Sequence, residues 1–320
     1  MDSRLLTRLG TLRQLEIFLK VAEHGSMTRA AEELYLSHSA VSLQIRKLSE
    51  AIGLPLHEVI GRKLYLTEAG REVVVTGTQI FDSVRRLDET INNLKGLTSG
   101  RLAISVVTTA KYFLPRILGP FCRDYPDMDL SFHVGNRAEI IRRLTDNRDD
   151  LYIFNGLPQD LDVESYRFLP NPIAVIASSK HLLAGQKGLD WTDLANEKFI
   201  MREPGSGTFE AIRRHLDANG LKLGKTMTIE SNEAIKHAVV ENMGITILSA
   251  YVLADAVGPD LVQLRVKGFP LMSDWYVVYP RAKRLSLIAE RFLEFVLKRG
   301  SDVLPMENLE RQVRRALAQT

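Results

Sequence analysis

The sequence predicts an α/β protein with a winged helix-turn-helix head, a long linker helix and a larger body of alternating strands and helices. Three observations carry that reading. Between Leu12 and Thr67, apolar residues recur at helical spacing in three short runs and then alternate along a ribbon. From Val73 to Leu94 they recur in steps of 4-3-4-3-4-3. From Leu102 onwards, short apolar runs alternate with amphipathic ones.

In the head, Leu15, Phe18, Val21 and Ala22 line a first helix that stops at Gly25. Ser26 caps a second, whose inner face is Ala30, Ala31 and Leu34. Tyr35-Leu36-Ser37 is the tight turn into a third, where Val41, Ile45 and Leu48 fall at i, i+4 and i+7. Its other side carries His38, Ser39, Ser42, Arg46 and Ser49, and no acidic residue occurs from Tyr35 to Ser49. Small hydrogen-bonding side chains near a helix start, followed by two cations, suit a helix entering the major groove of double-stranded DNA. A small three-helix core with a solvated polar face would show the same apolar spacing. After Leu54-Pro55-Leu56, residues His57 to Leu66 read as a two-stranded ribbon turning at Gly61-Arg62-Lys63. A ribbon tipped with two cations is a wing, able to reach phosphates or the minor groove.

Thr67 is placed to cap a helix from Glu68 to about Leu94. Val73, Gly77, Ile80, Val84, Leu87, Ile91 and Leu94 form its heptad seam, flawed only at Gly77. At about 1.5 Å per residue the helix is roughly 40 Å long, and one narrow apolar stripe on such a rod wants a partner helix. Packing on its own chain is one solution. Pairing with the same helix of a second subunit is favoured, because a two-fold dimer would present two recognition helices to two half-sites.

Composition bounds the rest. The 320 residues are 45% hydrophobic and 25% charged, as in a soluble globular protein of two or three domains. Net charge is +3, and residues 1–70 hold nine Lys/Arg against eight Asp/Glu, a net of +1. Any electrostatic footprint on DNA therefore depends on where charges sit. The single Cys122 excludes an intramolecular disulfide and a two-cysteine redox switch within one chain. With no signal peptide and no apolar run near membrane-span length, the expected location is cytoplasmic, with no membrane partner.

Lys95-Gly96-Leu97-Thr98-Ser99-Gly100 reads as a hinge. Beyond it, strands are expected at Leu102–Val107, Leu130–Val134, Leu151–Phe154, Ile173–Ala177, Phe199–Met201, Met227–Ile229, Ile245–Leu248, Leu261–Leu264 and Trp275–Tyr279. Helices are expected at 112–124, 136–146, 208–219, 232–242 and 286–298. This alternation means mainly parallel sheets, enough for two lobes. After Gly300, Met306, Leu309, Val313 and Leu317 are spaced as a short tail helix.

Ligands in such folds gather at the carboxyl ends of strands, where helix N-termini offer free N–H groups. Four segments fit that place: Thr108-Thr109-Ala110-Lys111, Gly135-Asn136-Arg137, Arg202 through Gly205-Ser206-Gly207-Thr208, and Glu230-Ser231-Asn232-Glu233. Their hydroxyls, amides and three cations (Lys111, Arg137, Arg202) would suit a carboxylate or phosphate, although Ser, Thr and Asn are also ordinary N-caps. Catalysis finds little support. Gly205-Ser206-Gly207-Thr208 completes neither a phosphate loop nor a nucleophile elbow, and no H-E-x-x-H or Cys/His cluster offers a metal site. A non-enzyme without a cofactor is expected. A solute-binding or signalling protein whose head serves only assembly is the competing reading.

The run Leu12-Arg13-Gln14-Leu15, Val21-Ala22-Glu23-His24-Gly25-Ser26, Arg29-Ala30-Ala31-Glu32-Glu33-Leu34, Ala40-Val41-Ser42, Gly53-Leu54-Pro55-Leu56 and Leu66-Thr67-Glu68-Ala69-Gly70 resembles the N-terminal domain of LysR-type transcriptional regulators. The resemblance implies DNA contacts at His38, Ser39, Ser42, Leu43 and Arg62, with Ser37, Arg46, Lys47 and Lys63 as further candidates beside them. His38-Ser39 replaces the common Gln-Pro, Leu43 a frequent Arg, and His57 the Phe that commonly roots the wing. It also implies a dimer or tetramer on an inverted-repeat operator, possible contact with RNA polymerase, and a periplasmic-binding-protein-like effector domain. The implied partition is head 1–67, linker 68–96, effector domain 97–300 and tail 301–320. Lobe I would span about 101–168 and 270–300, and lobe II about 169–269, with crossings near Leu169–Ile173 and Lys267–Leu271. Thr109-Ala110-Lys111-Tyr112-Phe113, Arg202-Glu203-Pro204-Gly205-Ser206-Gly207-Thr208 and Trp275-Tyr276-Val277-Val278 are similar to the branch controlling RuBisCO and carbon-fixation operons. That branch implies an anionic effector, a phosphorylated metabolite or nucleotide; regulation of nitrogen, sulfur or aromatic metabolism is the alternative.

Overall fold

The computed structural model describes residues 10–61, 63–94, 100–158, 160–254 and 260–300. Arg62, most of the hinge at 95–99, the Leu94 side chain and the tail at 301–320 lie outside the described residues. The chain divides into two compact units, Met1–Ile91 and Asn92–Thr320.

In the first unit, helices α1 (Leu12–His24), α2 (Met27–Glu33) and α3 (His38–Ile52) are each fixed by a hydroxyl cap. Thr11 and Gln14 complete a capping box, and Ser26 and Ser37 accept from Arg29 and Ala40 amides. Gly25 and Gly53, both left-handed, end α1 and α3. Phe18, Val21, Val41, Ile45 and Leu48 are fully buried between them. Strands β1 (His57–Ile60) and β2 (Lys63–Leu66) pair antiparallel as the ribbon.

Helix α4 (Glu68–Leu94) then leaves the ribbon at a tight joint. Thr67 Oγ1 donates to the Pro55 carbonyl at 2.6 Å and accepts from the Gly70 amide at 3.0 Å. A Cβ at Gly70 would sit 1.9 Å from the Leu56 carbonyl oxygen, so only glycine lets the helix close on that backbone.

The heptad seam on α4 divides in two. Val73 and Ile80 pack on the head's own core, and Gly77 lies against Leu19, where an added Cβ would be 3.4 Å from its methyl. Val73 and Ile80 are thus partly buried by their own chain. Val84, Leu87 and Ile91 stay exposed at 48%, 62% and 40%.

In the second unit, β3 (Gly100–Val107) pairs parallel with β4 (Met128–Gly135) and β5 (Leu151–Asn155), crossed by α5 (Leu114–Asp124) and α6 (Arg137–Thr145). The other lobe holds β7 (Lys198–Met201), α7 (Gly207–Ala218), β8 (Lys225–Thr228), α8 (Asn232–Val240) and β9 (Ile245–Ser249), with β8, β7 and β9 parallel. The short α9 (Tyr251–Ala254) and β10 (Leu261–Gln263) follow β9. Two long antiparallel strands, β6 (Val163–Ser178) and β11 (Leu271–Pro280), run through both lobes, and α10 (Leu287–Arg299) returns to the first. The sheets are therefore mixed rather than mainly parallel.

The chain crosses outward within β6 near Leu169–Ile173, and the return lies at Leu271–Trp275 rather than Lys267–Leu271, since Leu271 pairs with Ile173 and Trp275 with Leu169. Pro170 and Pro172 fit inside β6 because alternate residues turn their backbone groups away from β11: the Pro172 carbonyl accepts from Ala250 and that of Pro170 from Tyr251. Each lobe has its own core, around Phe113, Phe121, Trp275 and Phe292 in one and Phe199, Ile212 and Ile247 in the other.

Candidate functional site

In the head, the capped start of α3 turns Val41, Ile45 and Leu48 inward. Ser37, His38, Ser39, Ser42, Leu43, Arg46 and Lys47 are all exposed on the remaining surface. Arg46 and Lys47 have no carboxylate partner among the described residues, so their charge is free to meet phosphates. Ser37 and Ser39 hydroxyls lie 3.0 Å apart. Lys63 is exposed at the ribbon turn opposite Ile60.

His57 roots the wing. Its Nδ1 is buried without a hydrogen-bond partner, and burial holds the imidazole below the usual histidine range. Because the folded value is depressed, the head has its full stability above the unfolded value of about 6.5 and loses it as pH falls through that range. His57→Phe is expected to raise the melting temperature at pH about 6 and flatten this acid sensitivity. Thermal unfolding across pH would show no change in slope if His57 were not responsible.

In the second unit, the four loops converge at the carboxyl ends of β3, β4, β5, β7 and β8. Thr109 and Asn232, one from each lobe, meet at 3.4 Å, and Arg202 donates to Asn232 Oδ1 at 2.7 Å. The Tyr112 hydroxyl donates to Glu233 at 2.6 Å; burial first, and the Glu233 carboxylate second, push the phenol well above its usual range. Further along, Asn155 from the end of β5 donates to Thr208 at 3.5 Å. A Cβ on Gly207 would lie 2.0 Å from Asn155 Oδ1, so the lobes approach here through glycine.

The cations differ. Arg202 is buried but neutralised by a two-pronged pair with Glu203 at 2.8 Å, and Lys111 lies 3.7 Å from Glu233. Arg137 has no carboxylate partner among the described residues; its guanidinium donates to the carbonyls of Asn155, Gly156 and Leu157 and lies over Phe154 at 5.3 Å. Burial first and the nearby Arg214 second hold it below the usual arginine range.

Other expected residues serve local structure. Asn136, Ser206 and Ser231 cap α6, α7 and α8. Thr108 donates to the Gly135 carbonyl at 3.1 Å, and the left-handed Gly205 donates its amide to Glu210 at 3.2 Å.

Asn155, Asn171 and Trp275 were not anticipated as site residues. Asn155 Oδ1, Asn171 Nδ2 and Trp275 Nε1 are buried without a hydrogen-bond partner. Trp275 is the cross-strand neighbour of Asn155, and Asn171 stands two residues along the adjoining strand from Trp275's partner Leu169. The Pro-Asn-Pro run around Asn171 is the one signal visible in the sequence: a polar residue held extended between two rigid ones. Among the described residues no group of three or more His, Cys, Asp and Glu is placed to hold a metal ion, and no helix is long and apolar enough to cross a membrane.

Residues 12–71 match the bacterial regulatory helix-turn-helix family of lysR type, and residues 95–301 match the LysR substrate binding domain. The chain belongs to the LysR family of transcriptional regulators. It is 46% identical over 287 residues to the HTH-type transcriptional activator CmpR of Synechocystis sp., covering 89% of this chain and 94% of that one. The RuBisCO operon transcriptional regulator of Acidithiobacillus ferrooxidans is 41% identical over 296 residues, covering 92% and 96%. Among solved structures, the CcmR regulatory domain of Synechocystis PCC6803 in complex with 2-PG is 40% identical with a TM-score of 0.59, covering 62% of this chain and 95% of that one. A full-length OxyR variant from Pseudomonas aeruginosa, 19% identical with a TM-score of 0.71 over 90% of this chain and 93% of its own, shares the LysR fold.

Proposed function

We propose that this LysR regulator binds an interrupted inverted repeat as a dimer or tetramer and controls carbon-fixation genes in response to a small anionic metabolite, phosphorylated or a nucleotide. It acts in the cytoplasm by binding rather than catalysis, with RNA polymerase as its further partner. The head, linker and tail keep the bounds given from the sequence, and the two lobes divide at Leu169–Ile173 and Leu271–Trp275. The reading rests chiefly on one observation: α3 presents an exposed, acid-free face with two unpaired cations, in a chain whose second unit gathers polar loops from two lobes. Identity of 41% to a RuBisCO operon regulator supports the choice of target genes, and the buried, unpartnered Asn155, Asn171 and Trp275 atoms support a hydrogen-bonding ligand in the cleft.

Ligand and DNA are linked through lobe orientation, which shifts only if the effector binds the two arrangements unequally. Ser42→Ala with Arg46→Ala is expected to weaken operator binding by about tenfold or more while the fold is kept, since a base contact and a phosphate contact are lost together. Gel shifts at several salt concentrations test this. Unchanged affinity would remove α3 as the recognition surface. A thermal-shift screen with sugar phosphates, nucleotides and aromatic acids tests the effector class.

A further inference from the structure

Beside the crossing stretch of β11 lies a second recess, a trough of about 760 Å3. One wall is Gly156 and Leu157 of lobe I, the other is Ala211, Arg214 and His215 on the flank of α7 in lobe II, and the floor is Pro270–Asp274. Its volume falls within the roughly 300–1,000 Å3 of small-molecule sites. Gly156 and Leu157 are the partition between this trough and the cleft, for their carbonyls hold Arg137 on the far side.

The polar groups are few and unequal in charge. Arg214 is exposed, its Nε donating to the Glu210 carbonyl at 3.3 Å, and it has no carboxylate partner among the described residues. The one carboxylate in the lining, Asp274, is paired with Arg167 at 2.8 Å. His215 lies edge-on to Phe269 at 5.4 Å, and burial holds it below the usual histidine range. The net charge facing the trough is therefore positive, and Arg137 and Arg214 repel across the partition. The Gly156 amide donates to the Asp274 carbonyl, so alternate residues of β11 turn their backbone outward here; by that period the N–H and C=O of Met272 face the trough. Ser273 and Tyr276 add two hydroxyl-bearing side chains, and the remaining lining, Leu157, Pro270 and Leu271 among it, is apolar.

We propose that this trough is a second ligand site, for a small amphipathic anion that sets one carboxylate or phosphate on Arg214 and an apolar body against Leu157, Ala211, Pro270 and Leu271. Such a ligand touches both lobes and the strand between them. By linkage it changes affinity in the cleft, and a cleft ligand changes affinity in the trough by the same factor.

The test is calorimetric titration of the full-length protein with benzoate, phenyl phosphate and inorganic phosphate. The first or second is expected to bind saturably, one per chain, with affinity falling about tenfold or more in Arg214→Ala and being lost in Ala211→Trp. Thr109→Val, in the cleft, should leave this binding intact. Should Ala211→Trp unfold, Arg214→Glu on the exposed surface carries the same test. The proposal is overturned if neither aromatic anion binds up to about 10 mM, if binding survives the Arg214 variants, if it falls with Thr109→Val instead, or if inorganic phosphate binds as tightly as phenyl phosphate.

Discussion

Leu87→Glu is expected to leave the protein monomeric at micromolar concentration and to lower operator affinity by about 10²-fold or more, because a second head joined through the rod raises the local concentration at the second half-site. Val84, Leu87 and Ile91 follow one another at steps of three and four along the same edge of α4, and Leu87 is the most exposed of them at 62%. A glutamate there would carry its charge into any apolar interface formed by that edge. Val75 is also exposed, at 42%, yet lies off this seam. Val75→Glu should therefore stay dimeric. Sedimentation velocity separates the outcomes, and a dimeric Leu87→Glu protein would falsify the assignment of this edge.

Arg202→Ala is expected to cost about 1–3 kcal/mol of stability in the ligand-binding unit, since the charge-assisted hydrogen bonds of a part-buried ion pair are lost. Arg202 is 4% exposed, and its loss strands the Glu203 carboxylate and the Asn232 carbonyl oxygen. Because Glu203 neutralises this cation, the larger effect on ligand binding should come through Asn232, which Arg202 aims at Thr109. Arg202→Lys would keep the charge but not the two-pronged geometry, so it should restore little. Chemical denaturation and ligand titration of both variants check this; a stable, fully responsive Arg202→Ala protein would mean the ligand binds elsewhere.

How much of this was legible follows from the range of the interactions. The head was legible nearly residue by residue, since Thr11, Ser26 and Ser37 cap helices through bonds three residues away. The seam on α4 was legible as a pattern but not by partner: the same spacing holds Val73, which packs on its own head, and Leu87, which does not. The first half of β6 was hidden by Pro170 and Pro172, which argue against a strand until their neighbours are known. In the cleft, Thr109, Asn232 and Thr208 were found because they open helices or turns. The pairing of Arg202 with its own neighbour Glu203, and the burial of Asn155 and Trp275, depend on three-dimensional packing.

The joint at Gly70 bears on how a signal could arrive. With Leu56 backbone filling the space a side chain would need, and Thr67 bridging both sides, wing and rod form one stiff lever. Over a length of roughly 40 Å, a few degrees of tilt at the distant end become ångströms of travel at the wing tip. A regulator geared this way would bend or release DNA by swinging its heads whole, with no need to soften them.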